Sequence, residues 1–339
     1  MLSESLGRLA RRWRPARRVL TDITRVARRT MACAPRPELS VVVIGYQMHR
    51  ELPRTLRSLS PAMQRDIAPD QYEIIVIDNG SPSPMPFERM PTYGAHCVFR
   101  RIEHAAPSPA AAINLGLRMA RGSLVGVMID GARLVTPGLL ASALTASRLH
   151  PRPVIGVPGF HIGPELQTIS TQHGYGPEVE DRLLDEIGWA DDGYRIFDAS
   201  VFAGSSRYGW FLPNAETNAL FMTAPMWQEV GGYDERFVSV GGGYVNLDTY
   251  VRACGLPQSQ LIMLLGEGTF HQVHGGVTER GGPARGSAFH DEYVRLRQKP
   301  YAFVQREPFY VGRIPRRSLP FLEQSVKLAR AQTPEQVGS

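Results

Sequence analysis

The chain has 339 residues, with an apolar share of 43% and a charged share of 21%, the length of one large domain or two ordinary ones and the composition of a globular protein. Its longest apolar runs, around Val41–Ile44 and Leu261–Leu265, are far too short to span a bilayer. Three scattered cysteines (Cys33, Cys97, Cys254) fit reduced thiols in a cytoplasmic protein better than a disulfide frame. The net charge of +6 is unevenly placed: residues 1–37 carry ten arginines against Glu4 and Asp22, a local +8, which leaves the remainder at −2 and gives the fold itself no electrostatic basis for binding nucleic acid.

From Leu2 to Ala27, apolar residues recur three and four apart with arginines between them, the pattern of a basic amphipathic helix that Pro15 kinks or restarts. Such a helix can lie on an anionic membrane surface, peripheral at the inner face of a plasma membrane, or equally be solvated or packed on a partner. It has no uninterrupted apolar core and no small-residue cleavage site, so a signal peptide is not expected. Pro35 and Pro37 mark its boundary.

From Leu39 the pattern changes. Leu39–Ile44 reads as a strand buried on both faces and ends at Gly45-Tyr46; Leu52, Leu56, Leu59 and Met63 stripe the following helix. Tyr72–Ile77 is a second such strand, ending at Asp78-Asn79-Gly80-Ser81, and Cys97–Ile102 a third. Ser108-Pro109 opens a helix that Gly122 closes, the apolar run Leu124–Ile129 ends on Asp130, and Thr136-Pro137 opens another helix. Strand and helix alternate through residue 150, which predicts an α/β fold with a doubly wound, mostly parallel sheet.

Residues 155–217 are rich in loops, glycines and aromatics (Trp189, Tyr194, Phe197, Trp210, Phe211), which could stack on sugar rings or belong to the core. A strand at Asn218–Met222, helices near Pro225–Val230 and over Asn246–Cys254, and a last strand at Leu261–Leu265 follow. A polar cluster bounded by glycines, Gly266 to Gly276, contains Glu267, His271 and His274; beyond Tyr301 the chain is an Arg- and Pro-bearing tail with little core. The expected organisation is an arm at 1–37, one domain at 38–300 divided near 150 into two halves, and a tail at 301–339.

The first strand is not followed by G-x-G-x-x-G, and neither G-x-x-x-x-G-K-[ST] nor G-x-S-x-G occurs, so dinucleotide-binding, P-loop and α/β-hydrolase chemistry lose their main support. What remains is carboxylates at strand ends, Asp78 and Asp130, where open α/β sheets bind ligands. Asp130-Gly131 could also be no more than a turn pair.

Ser40–Tyr46, Tyr72–Ser81, Ala112-Ile113-Asn114-Leu115-Gly116, Met128-Ile129-Asp130 and Gly231–Glu235 with Asn246–Arg252 resemble, in that order, the family 2 glycosyltransferases. The resemblance implies the nucleotide-diphosphate-sugar transferase (glycosyltransferase A-type) fold, a nucleotide-sugar donor and a hydroxyl-bearing acceptor (glycan, lipid or small molecule). It places the nucleotide base and ribose at Gly45, Tyr46 and Asp78, and adds Asn114 and Asp130 to the donor side.

Two motifs of that family are altered here. Of its Asp-x-Asp metal motif only Asp130 remains, since Ala132 holds the last position, so dependence on Mn²⁺ or Mg²⁺ stays open. His274 or His271 could complete a site with Asp130, or simply hydrogen-bond in a glycine turn; Arg133 could act as a phosphate counter-charge instead. The family's Glu-Asp base pair, aligned on Arg252, falls on Val245 and Asn246. Asp248 or Glu267 is then expected as base, with Asn246 orienting the acceptor, although Asp248 could equally stabilise a helix start. A sugar-nucleotide-binding protein without turnover remains an alternative. A nucleotidyltransferase is another, but it wants a Gly-rich basic loop that Gly45-Tyr46-Gln47-Met48 does not supply.

Overall fold

The computed structural model describes residues 36–276 and 283–331, so all but the end of the basic arm lies outside the described residues. The chain alternates β1 (Leu39–Gly45), α1 (Glu51–Ser58), β2 (Tyr72–Asp78), β3 (Cys97–Arg101), α2 (Ala110–Met119), β4 (Leu124–Met128), β5 (Arg133–Val135) and α3 (Leu139–Ser147). Strands β1, β2, β3 and β4 pair in parallel. Their continuous apolar runs arise because both faces are covered: Val41 and Val43 enter one core with Leu52 and Leu139, while Val42 and Ile44 enter another with Ile113.

The second half adds β6 (Pro153–Gly156), β7 (Gly159–Ile162), α4 (Gln167–Ser170), α5 (Pro177–Glu186), β8 (Ser200–Phe202), β9 (Leu220–Thr223), α6 (Ala224–Val230), α7 (Val245–Cys254), β10 (Gln260–Leu265), β11 (Thr269–His271), α8 (Pro283–Arg297), β12 (Phe309–Gly312) and α9 (Leu319–Ala331). The main sheet has eight strands in the order β12-β10-β6-β9-β4-β1-β2-β3. It is the mostly parallel, doubly wound sheet expected, interrupted by β9, which runs antiparallel to both β4 and β6. Gly126 makes the β4–β9 contact possible: a Cβ there would lie 2.4 Å from the Phe221 ring.

A second sheet, in the order β5-β11-β7-β8, stands on the first and was not foreseen. Its strands are only three or four residues long, too short to show a period of two. The aromatics of residues 155–217 resolve largely as core, with Trp189, Phe197 and Trp210 buried around Phe160 of β7. The segment after Tyr301 is likewise more than a tail. Strand β12 extends the main sheet beside β10, and Phe321 of α9 packs against the Phe160 ring. Among the described residues no helix is long and apolar enough to cross a membrane.

Phe160 sits between five aromatic rings at centroid distances from 4.7 to 6.2 Å. Replacing it with alanine opens a cavity no neighbour can fill, so F160A is expected to lower unfolding stability by about 3–5 kcal/mol in urea titrations.

Candidate functional site

Strand β4 delivers Asp130 to the carboxyl edge of the main sheet. The turn there is tight: Gly131 N–H donates to Ile44 C=O at 2.6 Å, and a Cβ at Gly131 would sit 2.8 Å from that oxygen. Ala132 N–H donates to Asp130 Oδ1 at 2.9 Å, so the residue replacing the family's second carboxylate serves through its backbone.

The other carboxylate oxygen faces two imidazoles. Asp130 Oδ2 lies 2.9 Å from His271 Nε2 and 3.8 Å from His274 Nε2, and the two imidazole nitrogens are 3.2 Å apart. Hydrogen bonding fixes the His271 tautomer. Gln167 Nε2 donates to His271 C=O at 2.8 Å and to Ile162 C=O at 3.4 Å, so its Oε1 must accept from His271 Nδ1–H. The neutral ring then presents a bare Nε2 to Asp130. Burial pushes the Asp130 carboxyl up, but His274 and His271 more than offset it and hold the group well below the usual carboxylate range. Burial also lowers His271 against its ordinary value. One carboxylate oxygen and two imidazole nitrogens within 4.8 Å of one another are a donor set that fits a divalent cation. The backbone between the ligands is pinned as well: Val273 N–H donates to buried Glu180 at 2.8 Å, and Arg50 donates to Val273 C=O at 3.0 Å.

Pairing in the second sheet sets Arg133 opposite His271, and His271 opposite His161. Residues directly opposite share a face, so three basic side chains form one rung beside Asp130. Arg133 is buried, its Nε 3.8 Å from Asp130 Oδ2, and its Nε and Nη1 have no hydrogen-bond partner. Burial lowers its pKa, countered by the charges of Asp130 and Glu216. His161 Nδ1 accepts from Gln167 N–H at 2.9 Å; burial, then His271 and Arg133, push that ring down to about 3. A buried guanidinium with two nitrogens that make no hydrogen bond, beside an imidazole, forms a place for an anion.

The other expected residues divide. Tyr46 is exposed at the end of β1 and free to meet a base, beside Gly45. Asp78 is buried, with Oδ1 accepting from Ser81 N–H at 3.0 Å and Ser81 Oγ at 2.6 Å, and Oδ2 lying 3.4 Å from Arg101. It shapes the turn that follows β2. Asn114 does not reach Asp130: its amide pairs with both backbone groups of Tyr233, each at 2.9 Å, and holds the Gly231–Glu235 turn to α2.

The two carboxylates expected as base are placed elsewhere. Asp248 is buried and clasped by Arg252 and Arg297, at 2.7 Å from Arg252 Nε, so the partner invisible in the local sequence is a guanidinium 49 residues away. Glu267 precedes β11 at the end where Thr269 pairs with Val135, the opposite end from His271 and Arg133. Its Oε1 accepts from Tyr194 OH at 2.8 Å. Asn246 is buried in α7, and its contacts point to an unforeseen carboxylate. Asn246 Nδ2 donates to Glu216 Oε2 at 2.7 Å and to Thr217 C=O at 3.0 Å, while Oδ1 accepts from Tyr233 OH at 3.0 Å. Glu216, His161 and Gln167 had no sequence signal. Only the antiparallel β9 and the register of the second sheet bring them in.

A family model, glycosyl transferase family 2, matches residues 40–203. Residues 40–203 belong to glycosyltransferase family 2. Two relatives are validoxylamine A glucosyltransferases of Streptomyces hygroscopicus, subspecies limoneus at 29% identity and subspecies jinggangensis at 28%, each over 234 residues and 66% of this chain. The chain spans about half of their length, 49% and 53%. Among solved structures, the mannosyltransferase PcManGT from Pyrobaculum calidifontis in complex with GDP-Man and Mn²⁺ overlays with a TM-score of 0.49 at 17% identity, covering 88% of this chain and 71% of that one. The match ends just after β8, so Glu216, Asn246, His271 and His274 lie beyond it.

Burial pushes the Glu267 carboxyl up to about 7 from an ordinary 4.5, so the folded protein binds a proton there that the unfolded chain has released. The stabilisation of the neutral form is complete below about pH 4.5 and is lost as pH rises through 7. E267Q is therefore expected to raise unfolding stability by about 1–3 kcal/mol at pH 8 and to leave it nearly unchanged at pH 4.5, read from thermal melts at both values.

Proposed function

We propose that this protein transfers a sugar from a nucleotide-sugar donor to a hydroxyl-bearing acceptor. The observation that carries the reading is the Asp130–His271–His274 group beside Arg133, whose Nε and Nη1 make no hydrogen bond, at the carboxyl end of β4, where open α/β sheets bind ligands. Tyr46 and the Gly45–Asp78 rim would take the base and ribose, Arg133 would oppose the charge of the diphosphate, and neutral His161 would donate a hydrogen bond to it from Nε2. Asp130, His271 and His274 would hold Mn²⁺ or Mg²⁺, which when bound neutralises charge on the leaving diphosphate. Gln167 fixes the His271 tautomer so that Nε2 faces the site. The relatives' names give glucosyl transfer to validoxylamine A, which makes a hydroxyl-bearing acceptor of that kind the first to test. The basic arm, by its composition, would rest on an anionic membrane surface.

Mn²⁺ titrated calorimetrically is expected to bind, more tightly than Mg²⁺ because two ligands are imidazoles, and Q167L should weaken it about 10–100-fold through the freed ring. R133M carries a paired expectation. It removes an unsatisfied buried charge, so the unliganded protein melts at the same temperature or higher, while affinity for UDP or GDP with Mn²⁺ falls about 10-fold or more. A lower melting temperature with unchanged nucleotide affinity would assign Arg133 to the core. For the arm, co-sedimentation with phosphatidylglycerol vesicles is expected to disappear when residues 1–36 are deleted.

A further inference from the structure

Family 2 chemistry ordinarily draws its base from the position held here by Asn246, and an amide cannot accept a proton from a hydroxyl. The carboxylates nearest to it along the chain are occupied. Asp248 has both oxygens on arginines, and Asp234 is held by Arg236 at 2.6 Å and Arg297 at 2.8 Å. Asn246 is also not idle. Its Oδ1 is committed to Tyr233 OH and its Nδ2 to Thr217 C=O and the Glu216 carboxylate, so the amide can be oriented in one way only.

Glu216 belongs to the same edge as Asp130. Strand β9 runs antiparallel to β4, and the pairing ends with Val127 opposite Leu220, three residues before Asp130 on one strand and four after Glu216 on the other. Thr217 anchors the segment by accepting from Val157 N–H at 3.0 Å and donating to Val157 C=O at 2.9 Å; Tyr301 OH holds Ala215 C=O at 2.6 Å. The backbone on both sides of Glu216 is therefore fixed. Its charge is among those felt by Arg133, as is that of Asp130, which brings the carboxylate within Coulombic reach of the proposed diphosphate site. Glu216 is half-buried; Oε2 is taken by Asn246, and Oε1 bonds nothing among the described residues and reaches the surface.

We propose that Glu216 is the base that deprotonates the acceptor hydroxyl, with Asn246 as its positioning residue. This rests on the transfer reading above. Glu216 Oε1 takes the hydroxyl proton as the acceptor oxygen bonds to the anomeric carbon. The bond from that carbon to the diphosphate oxygen breaks, its electron pair leaves with the nucleoside diphosphate, and the proton later passes from Glu216 to water. The departure at 246 then has a physical reason. An aspartate 2.7 Å from Glu216 would set two carboxylates against each other and force them to share a proton, whereas the amide donates a hydrogen bond to Glu216 Oε2 and leaves Oε1 facing outward.

The test measures nucleoside diphosphate release from UDP-glucose, UDP-N-acetylglucosamine and GDP-mannose with Mn²⁺, with water and with validoxylamine A as acceptors, across pH 5 to 9. E216Q keeps the shape of the site, so it is expected to melt normally and to bind UDP or GDP as the wild type does. Its kcat should fall at least 100-fold with KM for the donor within about threefold, and the acidic limb of its pH–rate profile should vanish. E216D should recover part of the rate, and N246D should move the acidic limb to higher pH. E216Q within about fivefold of wild-type kcat, or a loss confined to KM, overturns the assignment of Glu216 and leaves transfer standing. A wild-type protein that binds nucleotide and releases no diphosphate from any donor overturns both.

Discussion

The contact on which the site depends is the 2.9 Å approach of Asp130 Oδ2 to His271 Nε2. Gln167 supplies an acceptor to Nδ1, so a neutral ring turns a lone pair toward an anionic oxygen, and the pair attracts only with positive charge between the two atoms. An imidazolium proton can fill that role, but burial opposes it. A cation can fill it too, and the second imidazole, 3.2 Å from the first, is then a further ligand rather than a crowded neighbour. The rung behind it has the converse need. Arg133 and His161 share a face with His271, and the two unpartnered guanidinium nitrogens wait for an anion. A cation and a diphosphate together satisfy both halves, and neither does so alone.

Much of the first half of the fold was legible because it is written in long strands. β1 and β2 are seven residues each with every residue buried, and only a sheet covered on both faces makes such runs. Asp130 was legible for the same reason, as the polar residue that ends one of them. The second sheet was not, because its strands carry three or four residues and its stability comes from partners far apart in sequence. His271 could be suspected as a ligand from its glycine-bounded cluster, but the rung it forms with Arg133 and His161 exists only through register. Asp248 shows the opposite error. Its place beside a recognisable motif suggested chemistry, yet Arg297 converts it into an internal ion pair.

Charge balance explains why two altered motifs can coexist with an intact site. Ala132 removes one carboxylate of the usual metal motif, and two neutral imidazoles stand where that charge would be, so a bound divalent cation would keep more of its positive charge for a diphosphate. The buried cation Arg133 adds to the same sign. With the donor side this positive, a carboxylate is tolerated at Glu216 without a guanidinium of its own, held by the amide of Asn246 and by its neighbours' backbone. The chain keeps a carboxylate at the end of β4 and has an amide, Asn246, on the helix after the glycines, and the proposed replacement, Glu216, stands on the segment that leads into β9. The 2.7 Å hydrogen bond from Asn246 ties Glu216 to the position of the missing carboxylate, so a change that looks like loss along the sequence is a short displacement in space.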